Sequence, residues 1–210
     1  MKRRSPTQII TLLSTLTLLV KNVESHTNKL IEQRELLGSA ASTTTSVWIN
    51  EFHYDNIGSD TGEFIEVGCN STIDLTGYKV VRYNGNNGAS YGTDILSGVC
   101  APPSQFIVID YPSNGLQNGA PDGIALVDAT DQVIEFISYE GSFVATDGAA
   151  VGLTSVDIGI SETSSTDIGT SLQLTGTGCN KSDFTWIKDV SETKLSTNQG
   201  QTISCVSNNS

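Results

Sequence analysis

Six Asn-Gly or Asp-Gly dipeptides, at 84–85, 87–88, 114–115, 118–119, 122–123 and 147–148, restrict this chain more than any other feature. Glycine adopts positive φ at no steric cost and Asn or Asp tolerates it, so each pair favours a tight turn. Around them lie short runs rich in Val, Ile, Phe and Tyr: Val47–Tyr54, Glu63–Val67, Gly77–Tyr83, Gln105–Asp110, Gly123–Val127, Gln132–Tyr139, Ser171–Thr175 and Asp183–Lys188. Short β-prone runs separated by turn signals predict an all-β sandwich or barrel. From Val47 to Val190 no apolar period of 3.6 residues lasts long enough for a helix. Gly141–Thr170, rich in Gly, Ser, Thr and Asp, reads as a long loop with one brief strand.

The chain outside that pattern speaks of compartment. "MKRR" followed by the apolar run Ile9–Val20 has the form of a secretory signal, too short for a membrane span of about 20 residues. Cleavage is expected near Ser25, leaving 26–46 as a pro-segment or flexible linker and 47–206 as the folded domain. Four basic residues and one acid leave with the signal, so 7 Lys+Arg face 22 Asp+Glu and the net charge is about −15. Such a surface repels phosphate backbones, which excludes nucleic acid as a partner, and it excludes stable membrane insertion. Cys69, Cys100, Cys179 and Cys205 are then expected in disulfides. Three pairings are possible; closing local loops favours Cys69–Cys100 and Cys179–Cys205. Sequons at Asn70, Asn180 and Asn208 are candidate glycosylation sites if the host modifies secreted proteins.

The stretch "DNIGSDTGE", Asp55–Glu63, is dense in oxygen ligands, so Asp55, Asn56, Asp60 and Glu63 are candidate Ca²⁺ ligands. The competing expectation is a strand-to-strand loop whose Asp and Asn side chains bond their own backbone. His53 is predicted to be structural, its ring bonded to nearby loop acids. No nucleophile motif accompanies it, so no catalytic residue is assigned. Trp48, Trp186 and Tyr111 read mainly as core. In "YNGNNGASYG", Tyr83 and Tyr91 are candidates for an exposed binding surface.

The segments "INE" (Ile49–Glu51), "GEFIEV" (Gly62–Val67) and "DLTGYKVVRYNG" (Asp74–Gly85) resemble the lamin-tail domain family. "NGAPDGIALVD", "SYEGSF" and "SLQLTGTG" further along look like its secreted variety, and the resemblance covers roughly Val47–Thr202. It implies an immunoglobulin-like β-sandwich, here disulfide-braced, serving as a non-catalytic binding, adhesion or accessory module. Its partner would be an extracellular protein or glycan. The alternatives are a small calcium-dependent secreted hydrolase and a purely structural extracellular component.

Overall fold

The computed structural model describes residues 46–103 and 106–205. The expected signal 1–25, the linker up to residue 45 and the Asn208 sequon lie outside the described residues. The strands are β1 (Val47–His53), β2 (Phe64–Cys69), β3 (Ile73–Asp74), β4 (Lys79–Asn84), β5 (Ala89–Ile95), β6 (Val99–Cys100), β7 (Ile107–Asp110), β8 (Asp122–Val127), β9 (Val133–Tyr139), β10 (Val156–Asp157), β11 (Thr170–Gly178), β12 (Thr185–Ser191) and β13 (Gln201–Ile203). Each of the eight runs read from the sequence overlaps one of these strands. The additional ones are two or three residues long, or, like β5, too polar and Gly-containing to announce themselves.

One sheet has the order β12-β11-β1-β2-β7, with β13 pairing β11; the second has the order β10-β9-β8-β4-β5; β3 and β6 form a small ribbon. Val47, Ile49, Phe52, Ile65, Val67 and Leu172 of the first sheet meet Val80, Ile124, Leu126, Ile137 and Tyr139 of the second in one apolar core. The molecule is a β-sandwich, as the sequence predicts.

Alternation along a strand ordinarily leaves one face wet. Here every residue of β1, β2 and β8 is buried, so both faces are covered at these inner strands. The outer face of the second sheet, Val81, Tyr83, Ala125, Val127 and Phe136, packs under Phe143, Ala145 and Ala150. That cover comes from the Gly141–Thr170 segment, which holds β10 and an isolated bridge between Val144 and Thr154. The outer face of the first sheet lies under residues 193–201.

A bulge organises that outer face. The β1–β2 register slips between Ile49 and Glu51, so Val47 and Ile49 point into the core before the slip and Phe52 and Tyr54 after it. A bulge changes which side successive residues face. Asn50 and Glu51 thereby both turn outward.

The disulfides join Cys69 to Cys100 and Cys179 to Cys205, the local pairing expected. They close loops of 31 and 26 residues, each contributing about 3–4 kcal/mol in the chain-entropy account. Replacing either pair by serine should lower the unfolding free energy by about that amount, read by denaturant titration.

Candidate functional site

The loop between β1 and β2 spends its polar groups internally. The His53 Nδ1 lies 2.8 Å from Glu162 Oε1, and its Nε2 lies 2.8 Å from Asn56 Nδ2. The other Glu162 oxygen accepts from the backbone N–H groups of Tyr54 (2.7 Å) and Asp55 (3.1 Å). Burial disfavours the imidazolium, but the Glu162 carboxylate outweighs it and the net shift of His53 is upward. The sequence-based expectation of a structural His53 matches this geometry, with an amide in place of a second acid.

Of the four candidate calcium ligands, Asp55 and Asp60 lie side by side, whereas Glu63 points elsewhere. Asp60 Oδ1 accepts from Asn56 N at 3.2 Å, and Oδ2 accepts from Asn118 Nδ2 at 3.0 Å. The Asn56 amide donates to His53 and to Thr61 O. Glu63 turns away to cap the N–H groups of Gly115 and Leu116, each at 2.8 Å. Burial raises its pKa against those two donors. Asp55 is pushed up to about 6, first by burial and then by Asp60 beside it. Among the described residues no group of three or more His, Cys, Asp or Glu is arranged to hold a metal ion. Of this set, Glu63 and Asp60 Oδ1 are taken by backbone N–H groups and Asp60 Oδ2 by the Asn118 amide.

A second acidic cluster went unrecognised in the sequence. Glu51 and Glu66 stand opposite each other across β1 and β2, both fully buried. Glu51 accepts from Ser171 Oγ (2.7 Å), Thr193 N (2.8 Å) and Thr193 Oγ1 (2.7 Å). Glu66 accepts from Asn50 Nδ2 (3.0 Å) and Leu195 N (2.7 Å). Asn198 ties the same covering segment down through Asn50 O and Leu174 O. Burial raises both carboxyls; Glu66 reaches about 8, with Glu51's charge adding to the effect and the Asn50 hydrogen bond opposing it. Strict alternation along β2 separates Glu63 from Glu66 and says nothing of Glu51; the bulge in β1 brings Glu51 and Glu66 together.

Tyr83 and Tyr91 do not form the expected exposed surface. Tyr83 is fully buried on the outer face of β4, its hydroxyl accepting from Ala150 N at 3.0 Å. Tyr91 is half-buried, accepts from Gln117 N at 3.1 Å, and has the Arg82 guanidinium 5.1 Å from its ring centre. The residues that bury Tyr83 arrive some 60 positions later in the chain, so the hairpin sequence alone does not reveal them. Its tip, Asn86 and Asn87, is what remains exposed.

Beside that tip opens a polar cavity of about 460 Å³, between the β4–β5 hairpin and the 114–122 segment. Asp122 closes its inner end: Oδ1 accepts from Gly85 N at 3.1 Å, and burial lifts the carboxyl to about 6 against the Gly85 and Gly119 N–H groups. The Asn-Gly pairs here read from sequence only as turns; their amides also line a hollow.

Of the sequons, Asn70 is half-buried and donates to Cys179 O at 3.0 Å, and Asn180 begins a 3-10 turn, Lys181–Asp183. No helix among the described residues is long and apolar enough to cross a membrane. Comparison with family models, curated proteins and solved structures finds no match to this chain.

Two outcomes follow from this chemistry. Glu66, ordinarily an acid near 4.5, is held at about 8 in the fold, so its contribution is full below the lower value and is lost as pH rises through the upper one. Asp55 and Asp122 act in the same direction. Thermal unfolding should therefore give a higher Tm at pH 5 than at pH 8, and Glu66→Gln should flatten that slope by up to about 1.4 kcal/mol per pH unit. Millimolar Ca²⁺, compared with excess chelator, should leave Tm unmoved, whereas a site filled at 100 times its Kd would add about 2.7 kcal/mol.

Proposed function

We propose that this chain is a secreted, non-catalytic binding or adhesion module of lamin-tail type, its sandwich immunoglobulin-like. The observation that carries the reading is the fate of the polar residues a hydrolase would need. His53 is sealed between Glu162 and Asn56 at 1% exposure, and Glu51, Glu63 and Glu66 are committed to backbone and side-chain donors. A general base must lie within reach of a substrate proton, and these do not.

The resemblance also makes physical sense in this fold. "INE" contains the bulge residue Asn50 and the outward Glu51; "GEFIEV" supplies Glu63, which caps the 111–121 loop, and Glu66; "DLTGYKVVRYNG" runs from β3 through β4. These are the positions that set the sandwich and its cover. Two disulfides and the acidic surface suit a chain that works outside the cell. Its partner is an extracellular protein or glycan.

Expression through a secretory pathway should release a chain beginning near His26, and the labelled product should bind saturably to extracellular surface material. It should turn over no ester, phosphodiester or glycoside substrate. Turnover that disappears on Glu162→Gln, with the fold retained, would replace the module by the hydrolase alternative.

A further inference from the structure

We propose that the cavity beside the β4–β5 hairpin binds a neutral sugar, the terminal pyranose of an extracellular glycan. This deepens the module reading and rests on it.

The lining has the chemistry of a hydroxyl-rich ligand. Asn84, Asn86, Asn114, Gln117 and Asn118 contribute five amides. An amide offers donors and an acceptor together, and so does each sugar hydroxyl. Asp60 and Asp122 add carboxylate acceptors, while Leu116, Ala120 and Pro121 supply apolar surface for the C–H face of a ring. No Lys, Arg or His lines the cavity, so an anion finds no counter-charge there. A metal ion finds two carboxylates, and Asp60 already receives a donor on each oxygen. At about 460 Å³ the cavity falls within the roughly 300–1,000 Å³ typical of small-molecule sites.

Two buried acceptors at the site stand without a well-formed hydrogen bond from the protein: Gln117 Oε1 and Asp122 Oδ2. Asp122 is only 2% exposed, and its Oδ2 faces the wall formed by Gly119. Hydroxyl donors from a ligand match this deficit.

The walls are fixed before any ligand arrives. Glu63 holds the N–H groups of Gly115 and Leu116, Arg82 Nη1 donates to Gly115 O at 2.9 Å, and Tyr139 donates to Gln117 O at 2.6 Å. The hairpin sits so close that a Cβ on Gly85 would fall 2.2 Å from Pro121 O. A preorganised site spends little of its binding free energy on ordering loops.

Ligand-observed saturation-transfer NMR and calorimetry on the secreted, disulfide-intact chain test this. The probes are the methyl glycosides of glucose, galactose, mannose and N-acetylglucosamine, with N-acetyl-lysinamide and CaCl₂ as cationic controls. At least one glycoside should bind saturably. Gln117→Ala and Asp122→Asn should each weaken it at least about tenfold, the factor that corresponds to 1.4 kcal/mol. Val156→Ser, on the far edge strand β10, should leave it unchanged. Gln117 engages the protein only through its backbone among the bonds described above, so that variant keeps the fold, and Tm verifies it. Binding by no glycoside, binding that survives both substitutions, or occupancy by a cationic control instead overturns the sugar site and leaves the module reading standing. Conversion of a bound glycoside to free sugar in the same tubes overturns the module reading itself.

Discussion

Two carboxyl groups facing each other in the dark determine how this sandwich is finished. Glu51 and Glu66 are cross-strand neighbours, and among the described residues no cation is paired with either. A buried carboxylate without donors is among the costliest groups a protein carries. The C-terminal segment supplies the donors: Thr193 and Leu195 bring backbone N–H groups, and Asn198 reaches both Asn50 and Leu174. The acids and the segment thus require each other. Without the cover the acids would sit on an open sheet; without the acids the cover would bury N–H groups that had lost their acceptors.

The β-sandwich itself was legible because its signals are local. Asn84-Gly85 and Asp147-Gly148 announce turns, and "VWINEFH" has β-branched and aromatic residues packed too densely for anything but a strand. The pairing Cys69–Cys100 followed from loop length. What escaped depended on distance along the chain. Glu162 reaches His53 across 109 positions, and Thr193 reaches Glu51 across 142. Tyr83 looked exposed because its own neighbours are Asn and Gly, while Phe143 and Ala150 come to cover it from another part of the sequence. The slip at Asn50 had no composition of its own, yet it decides which way two glutamates point.

The candidate site escaped for a related reason. Dense acids in Asp55–Glu63 draw the eye toward a metal, but a carboxylate's role depends on what donates to it, and here Glu63 is committed to the Gly115 and Leu116 N–H groups. The Asn-Gly pairs of the 114–119 segment have the opposite history. A turn residue is usually taken as spent on geometry, yet several such turns meeting at one end of the sandwich leave their side chains facing a shared hollow. Loops on a rigid scaffold are where recognition commonly sits.

The basic side chains described here, Lys79, Arg82, Lys181, Lys188 and Lys194, each have an acidic neighbour within the fold. The Cys179–Cys205 bridge has a consequence of another kind. It encloses β12 and the whole covering segment in one covalent ring. A protease that cuts anywhere between those cysteines leaves both new ends attached to the body of the protein. The severed cover stays at high local concentration above its seat and settles back by an intramolecular step. A single cut within that ring is thus an injury from which the molecule recovers its shape.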